Sequence, residues 1–163
     1  VPRALCLVPA RPGVVGGEGR VVSSGHTSDT HESPMSWDVF IQHLPPHARR
    51  VAEIPDEYQG QALGMRDEVI RKIESRFPDA DFSDPSWGRL IRDDYAIEIS
   101  ISDEEIVTAI TLHIRGNDGA GDAVKEMIAV LGARGLDSWT GEIFDPDVAL
   151  HSIRRWRAYL ESE

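Results

Sequence analysis

A single cysteine, Cys6, leaves this chain of 163 residues no means of forming an internal disulfide, so nothing in it asks for an oxidising compartment. No apolar run approaches the roughly 20 residues needed to span a bilayer. Bases are scarce too: 17 Lys and Arg stand against 28 Asp and Glu, a formal net charge of −11. Phosphate backbones are bound by cationic side chains that displace counterions, so this balance argues against DNA and RNA as partners. Anionic membrane surfaces are disfavoured for the same reason. The charge suits a solubilised cytoplasmic protein, or one that meets a basic partner.

Residues 1–34 differ in kind from the rest. Gly13, Gly16, Gly17, Gly19 and Gly25, with Pro2, Pro9, Pro12 and Pro34, break any helical or strand period. Their charges cancel, so the residues that follow carry all of the −11. The run Ala4–Val8 is shorter than a secretory h-region and is stopped by Pro9. The expectation is a disordered leader, most simply a mis-assigned start, with Met35 as the natural first residue of one acidic domain over 35–163.

The domain reads as alternating strands and helices. Trp37–Leu44 is rich in β-branched and aromatic residues and ends at Pro45-Pro46, which predicts a strand. Val69, Ile70, Ile73 and Phe77 make one stripe of a helix over about 65–77, stopped by Pro78. Residues 78–88 read as a turn-rich connector whose Phe82 and Trp87 plug the core, with a short strand at 89–92. Tyr95–Ile101 alternates cleanly. Ile106–Arg115 places Ile106, Ile110, Leu112 and Ile114 on one face and Val107 on the other, making a hairpin through the link 102–105.

A helix over about 122–133 follows, then a strand near 138–144. Asp145-Pro146 has the chemistry to open a terminal helix with the stripe Ala149, Ile153, Trp156, Leu160. Burying the last three would contribute on the order of 1.5–3 kcal/mol each. The βαββαβ order, plus that added helix, predicts an α+β, ferredoxin-like antiparallel sheet with its helices on one face.

Two stretches carry a resemblance. Met35-Ser36-Trp37-Asp38-Val39-Phe40-Ile41-Gln42 and Asp81-Phe82-Ser83-Asp84-Pro85-Ser86-Trp87-Gly88 resemble the opening and the central motif of a group of small uncharacterised bacterial proteins. It spans about Met35 to Phe144 and takes in Leu112–Gly116. It implies a shared fold, supports Met35 as a start and brings no activity.

No motif outweighs its ordinary explanation. Asp79, Asp81 and Asp84 are oxygen donors for Ca²⁺ by type, but their spacing is not that of an EF-hand, and Asp84-Pro85 reads as a turn. His43 and His47 have zinc spacing, but Pro45 and Pro46 forbid the helix that would align them. Gly116-Asn117-Asp118-Gly119-Ala120-Gly121 sits between a strand and a helix, yet its glycines do not have nucleotide-binding spacing. Asp118 and Asp122 place carboxylates where an anion would go, so it reads as a cap. His113 stands alone in its strand, with no nucleophile or carboxylate at interpretable spacing. Trp37, Trp87, Trp139 and Trp156 read as core. No cofactor or metal is implied.

Two functions remain. One is a non-catalytic binding protein that engages a basic protein partner, as an immunity or antitoxin protein does, through Asp81, Asp84, Asp93, Asp94, Asp103, Glu104 and Glu105. The other is a small enzyme or small-molecule-binding domain with a pocket between sheet and helices, lined by His113, Tyr95 and Arg115.

Overall fold

The strand β1 (Trp37–Gln42) shows how the molecule is organised. Trp37, Val39 and Ile41 are fully buried, while Asp38, Phe40 and Gln42 alternate with them on the other side. The computed structural model that carries this strand describes residues 36–162. The leader, Met35 and Cys6 lie outside the described residues.

After a 3₁₀ turn at Val51–Glu53 come β2 (Gly64–Met65) and α1 (Arg66–Arg76). Val69 and Ile73 are the buried positions of α1. The expected connector instead forms a hairpin, β3 (Asp81–Asp84) and β4 (Trp87–Ile91), turning at Pro85-Ser86. Glycine makes the hairpin fit: a Cβ on Gly88 would sit 2.3 Å from the Phe82 ring, so the ring occupies that space. Phe82 packs on the main core as expected, but Trp87 points to the opposite side of the sheet from Gly88 and Leu90.

β5 (Tyr95–Ile101) follows, then β6 (Ile106–Val107) and β7 (Ala109–Gly116). The expected single strand over 106–115 is broken at Thr108, and the break reverses the faces. Val107 is fully buried and Ile106 is 55% exposed, because β6 leaves the main sheet to pair with β2. Ile101 then pairs with Ile110, so the hairpin link is longer than 102–105. At the far end Gly116 has φ +124, and a Cβ there would lie 2.5 Å from Asp94 O, so only glycine closes that corner.

The helix α2 (Asp118–Leu131) begins four residues earlier than the pattern suggested and ends at Gly132 in the left-handed region. Its cap is the Asn117 side chain, which accepts from Gly119 N at 3.1 Å. Asp118 turns away and pairs with Arg154 at 2.7 Å, so the expectation that Asp118 caps this helix is corrected. The expected strand at 138–144 is likewise displaced. β8 (Arg134–Asp137) and β9 (Ile143–Phe144) flank a turn at 138–142. The terminal helix α3 (Ala149–Glu161) buries Ala149, Ile153 and Trp156, with Leu160 partly buried.

The seven strands form one antiparallel sheet in the order β3-β4-β5-β7-β1-β8-β9, with β2 and β6 as a separate pair. Among the described residues three α-helices cover one face. Their side chains join Trp37, Val39, Ile41, Ile97, Ile99, Ile110, Leu112 and Ile114 in one continuous core. The described residues are thus α+β with a seven-stranded antiparallel sheet, which has more strands than the expected βαββαβ order.

Candidate functional site: the open face of the sheet

Among the described residues no helix covers the second face. At one side the segment 43–54 lies over it: Leu44, Ala48, Leu136 and Ile143 form a small second core with Phe40, Val51 and Ile54. Arg134 fastens this flap. Its Nη1 donates to Pro45 O at 2.7 Å and Ala48 O at 2.9 Å, and its Nε to Asp145 Oδ1 at 2.8 Å. From β1 across to β3 the face stays open.

Register sorts the open residues into rows. Arg89, Glu98, His113 and Asp38 are paired in turn across β4, β5, β7 and β1, and Asp81 on β3 pairs with Arg89. At the usual strand spacing this row crosses about 19 Å. The next row holds Trp87, Ser100, Thr111 and Phe40, with Asp84 opposite Trp87. Residues directly opposite on paired strands share a face, so their side chains are neighbours.

At the centre, His113 Nδ1 lies 2.9 Å from Asp38 Oδ1, a contact between residues 75 apart in sequence. Ser36 Oγ donates to the same carboxylate oxygen at 2.7 Å. The Trp87 ring stacks on the imidazole, with centroids 5.5 Å apart and planes 21° from parallel. Arg115 Nη1 reaches Glu98 Oε2 at 3.4 Å. His113 therefore has the carboxylate partner that sequence spacing did not reveal. Two signals could have found it. Asp38, Glu98, His113 and Arg115 all fall on the polar parity of their strands, and pairing β1 with β7 sets Asp38 opposite His113.

An Asp–His pair orients an imidazole as a proton acceptor would need, but the serine at the site bonds the carboxylate rather than the ring. The arrangement is better suited to recognition. An indole stacked on the imidazole shares this face with the carboxylates Asp38, Glu98, Asp81 and Asp84 and the guanidiniums Arg89 and Arg115. The Ser83 hydroxyl and N–H hold the Asp81 carboxyl below its usual range, and Ser86 does the same for Asp84.

The seven carboxylates expected to form a partner surface are exposed, but in three places. Asp81 and Asp84 line the open face. Asp93 and Asp94 sit at one end of β5, where Asn117 N donates to Asp94 O at 3.3 Å. Asp103, Glu104 and Glu105 sit at the other end, held to the start of α1 by Arg66, whose N donates to Glu105 O at 2.8 Å. Of the three residues expected to line a pocket, His113 and Arg115 share the open face, while Tyr95 packs on the helix side. Among the described residues no group of three His, Cys, Asp or Glu could hold a metal ion, and no helix is long and apolar enough to cross a membrane.

A hollow of about 640 Å³ between α1 and α2 is a shallow groove with balanced charges from Arg76, Lys125, Asp122 and Glu126. It carries no chemistry. Compared with family models, curated proteins and solved structures, the chain matches none.

Proposed function

We propose that this is a non-catalytic cytoplasmic protein that binds a basic protein partner, in the manner of an immunity or antitoxin protein, through the open face of its sheet. The observation that carries the reading is Trp87, half-buried on a helix-free face among Asp38, Glu98, Asp81 and Asp84. A large, rigid aromatic supplies contact area at little entropic cost, and the carboxylates steer a cationic surface toward it. The partner chemistry is an arginine or lysine side chain laid over the indole, where the ring and the carboxylates both favour positive charge. Asp81 and Asp84 contribute to this site; the five acids on the turns add to long-range attraction.

Two further points belong to the same proposal. The neighbouring order β8-β1-β7-β5 supports reading the middle of the sheet as a ferredoxin-like core, extended by β4 and β3 at one edge and β9 at the other. A pocket between sheet and helices finds little support, since that space is filled by Trp37, Ile99, Leu112, Met127 and Ile153, each essentially inaccessible.

The test is partner capture from native lysate at low salt with wild type, Trp87→Ala and Asp84→Lys. Lys72→Glu, on the exposed side of α1, is the control. The expected result is a cationic protein retained by wild type and the control, released by salt and lost from both open-face variants. Retention unchanged in Trp87→Ala and Asp84→Lys would overturn it.

A further inference from the structure

We infer that the outward side of the small sheet of β2 and β6 is a docking site for a cationic segment of a partner protein, one that carries an apolar side chain beside a run of Lys or Arg. This rests on the reading of a basic partner and gives that partner a second contact, round the end of the main sheet from Trp87. Trp87 stands opposite Ser100, and the link from β5 to β6 begins at Ser102.

Met65 and Ile106 are the centre of the site. They pair directly across β2 and β6, so their side chains share a face. They are 37% and 55% exposed, while Val107 beside them is fully buried in the main core. Single apolar side chains at a surface are ordinary. Two held opposite each other leave an apolar spot that the fold itself does not use. The backbone under them is fixed. Leu63 N donates to Val107 O at 2.7 Å, Arg66 N to Glu105 O at 2.8 Å, and Arg66 Nη1 to Asp103 O at 3.3 Å.

The antiparallel register decides where the charge lies. The chain beyond Met65 and the chain before Ile106 leave the ladder at the same end. One brings Asp67 and Glu68, in the first turn of α1, and the other Asp103, Glu104 and Glu105. Five exposed carboxylates thus stand to one side of the apolar pair, against Arg66 and, a turn further along α1, Arg71. Asp67 and Glu68 suit the positive end of the helix, and Glu68 Oε2 accepts from Met65 N at 3.2 Å. The three on the link have no such use.

None of the five carboxylates enters an ion pair among the described residues, whereas Asp79, Glu98, Asp118, Glu142 and Asp145 each pair with an arginine. The two nearby cations do not neutralise them. Arg66 directs its Nη1 to a carbonyl, and Arg71 its Nε to Asp67 O. These charges say what covers the spot. A second copy docked by two-fold symmetry would set carboxylates against carboxylates. A partner with Lys or Arg next to an apolar side chain matches both halves, the apolar centre and the charged rim.

The experiment uses the full chain at constant ionic strength, with backbone amide resonances followed during titration. The probe is a capped peptide of four lysines followed by two leucines; hexalysine and a peptide of four glutamates and two leucines are the comparisons. Saturable shifts at Met65, Glu105 and Ile106 are expected with the probe, and none with the glutamate peptide. Hexalysine should bind roughly tenfold more weakly, the effect of losing one buried apolar side chain. Ile106→Ser, exposed on the outer side, should weaken the probe to a similar degree with the thermal midpoint unchanged, as should Glu104→Gln with Glu105→Gln. Undiminished binding by hexalysine, by Ile106→Ser or by the double variant would overturn the site. Shifts that grow with protein concentration in the absence of peptide would assign the spot to a second copy and overturn it too. Shifts confined to Trp87 and His113 would overturn this site and leave the open face standing. Shifts at Met65, Glu105 and Ile106 with none at Trp87 or His113 would support this site and count against the open face.

Discussion

The two faces of the central strands are built from alternate residues of the same segments, yet they answer to different physics. On β7, Ile110, Leu112 and Ile114 are 0–1% exposed beneath the helices, while Thr111, His113 and Arg115 are only half-buried on the other side. The covered face gains its stability from area removed from water, which is non-directional and forgiving of detail. The open face spends its positions on pairs that need register: Asp38 with His113, and Glu98 with Arg115. Polar pairs at a partly exposed surface contribute little to stability. The difference teaches that the open face is not a second core left unfinished. The proposed partner reading would use this ordered surface.

The largest expected effect tests that division directly. Leu112→Ala should destabilise the protein by about 2–5 kcal/mol, whereas Thr111→Ala, one residue away on the open face, should cost about 0.5 kcal/mol or less. Urea unfolding midpoints of the two variants decide it. Equal losses would break the comparison, because they would mean that the open face is packed in solution.

Next in size is the flap, the one part of the open side that is closed. Arg134→Met keeps the stem but leaves the carbonyl of Ala48 unpaired and that of Pro45 with only its bond from Ala48 N, at a cost of roughly 1–3 kcal/mol. Hydrogen exchange should quicken over residues 43–54 and stay unchanged over β5. Faster exchange throughout the sheet would show that Arg134 supports the whole fold rather than the flap.

Much of the covered face was legible from apolar periodicity alone: β5, the stripe of α1 and that of α3 fall where the alternation and the 3.6-residue repeat put them. The misses share a cause. β8 is Arg134-Gly135-Leu136-Asp137, with a glycine and no β-branched residue, so nothing local marks it as a strand; pairing with β1 makes it one. The hairpin of β3 and β4 was hidden by Pro85, which reads as a breaker and in fact supplies the turn. In β6 a single break at Thr108 exchanged Ile106 for Val107 in the core, which no alternation count reveals. The candidate site was less legible still. The polar parity of Asp38 and His113 could be read from sequence, but that they touch depends on a register between strands 75 residues apart.

A smaller effect concerns Trp87. Removing the ring in Trp87→Ala loses its stack on His113, at a cost of about 1 kcal/mol. If the open face is a recognition surface, the loss in partner affinity should exceed the loss in stability by a kcal/mol or more. A larger loss of stability than of affinity would return Trp87 to the role first expected for it, that of a core aromatic.

The smallest effect lies on the covered side, where α2 and α3 are tied at the surface. Hydrogen bonding from Arg154, with its charge, holds the Asp118 carboxyl below its ordinary value of 3.8. A carboxyl whose folded value is depressed contributes stability that is complete above the unfolded value and is lost as pH falls through the folded one. Wild type should therefore be slightly more stable than Asp118→Asn at neutral pH. The gap should narrow below pH 3.8 and close once the wild-type carboxyl is protonated. Thermal midpoints of both proteins between pH 7 and pH 2 measure this. A gap that stays constant to the lowest pH would mean that the Asp118–Arg154 contact is not electrostatic, and that the helix layer, like the sheet beneath it, is held by packing alone.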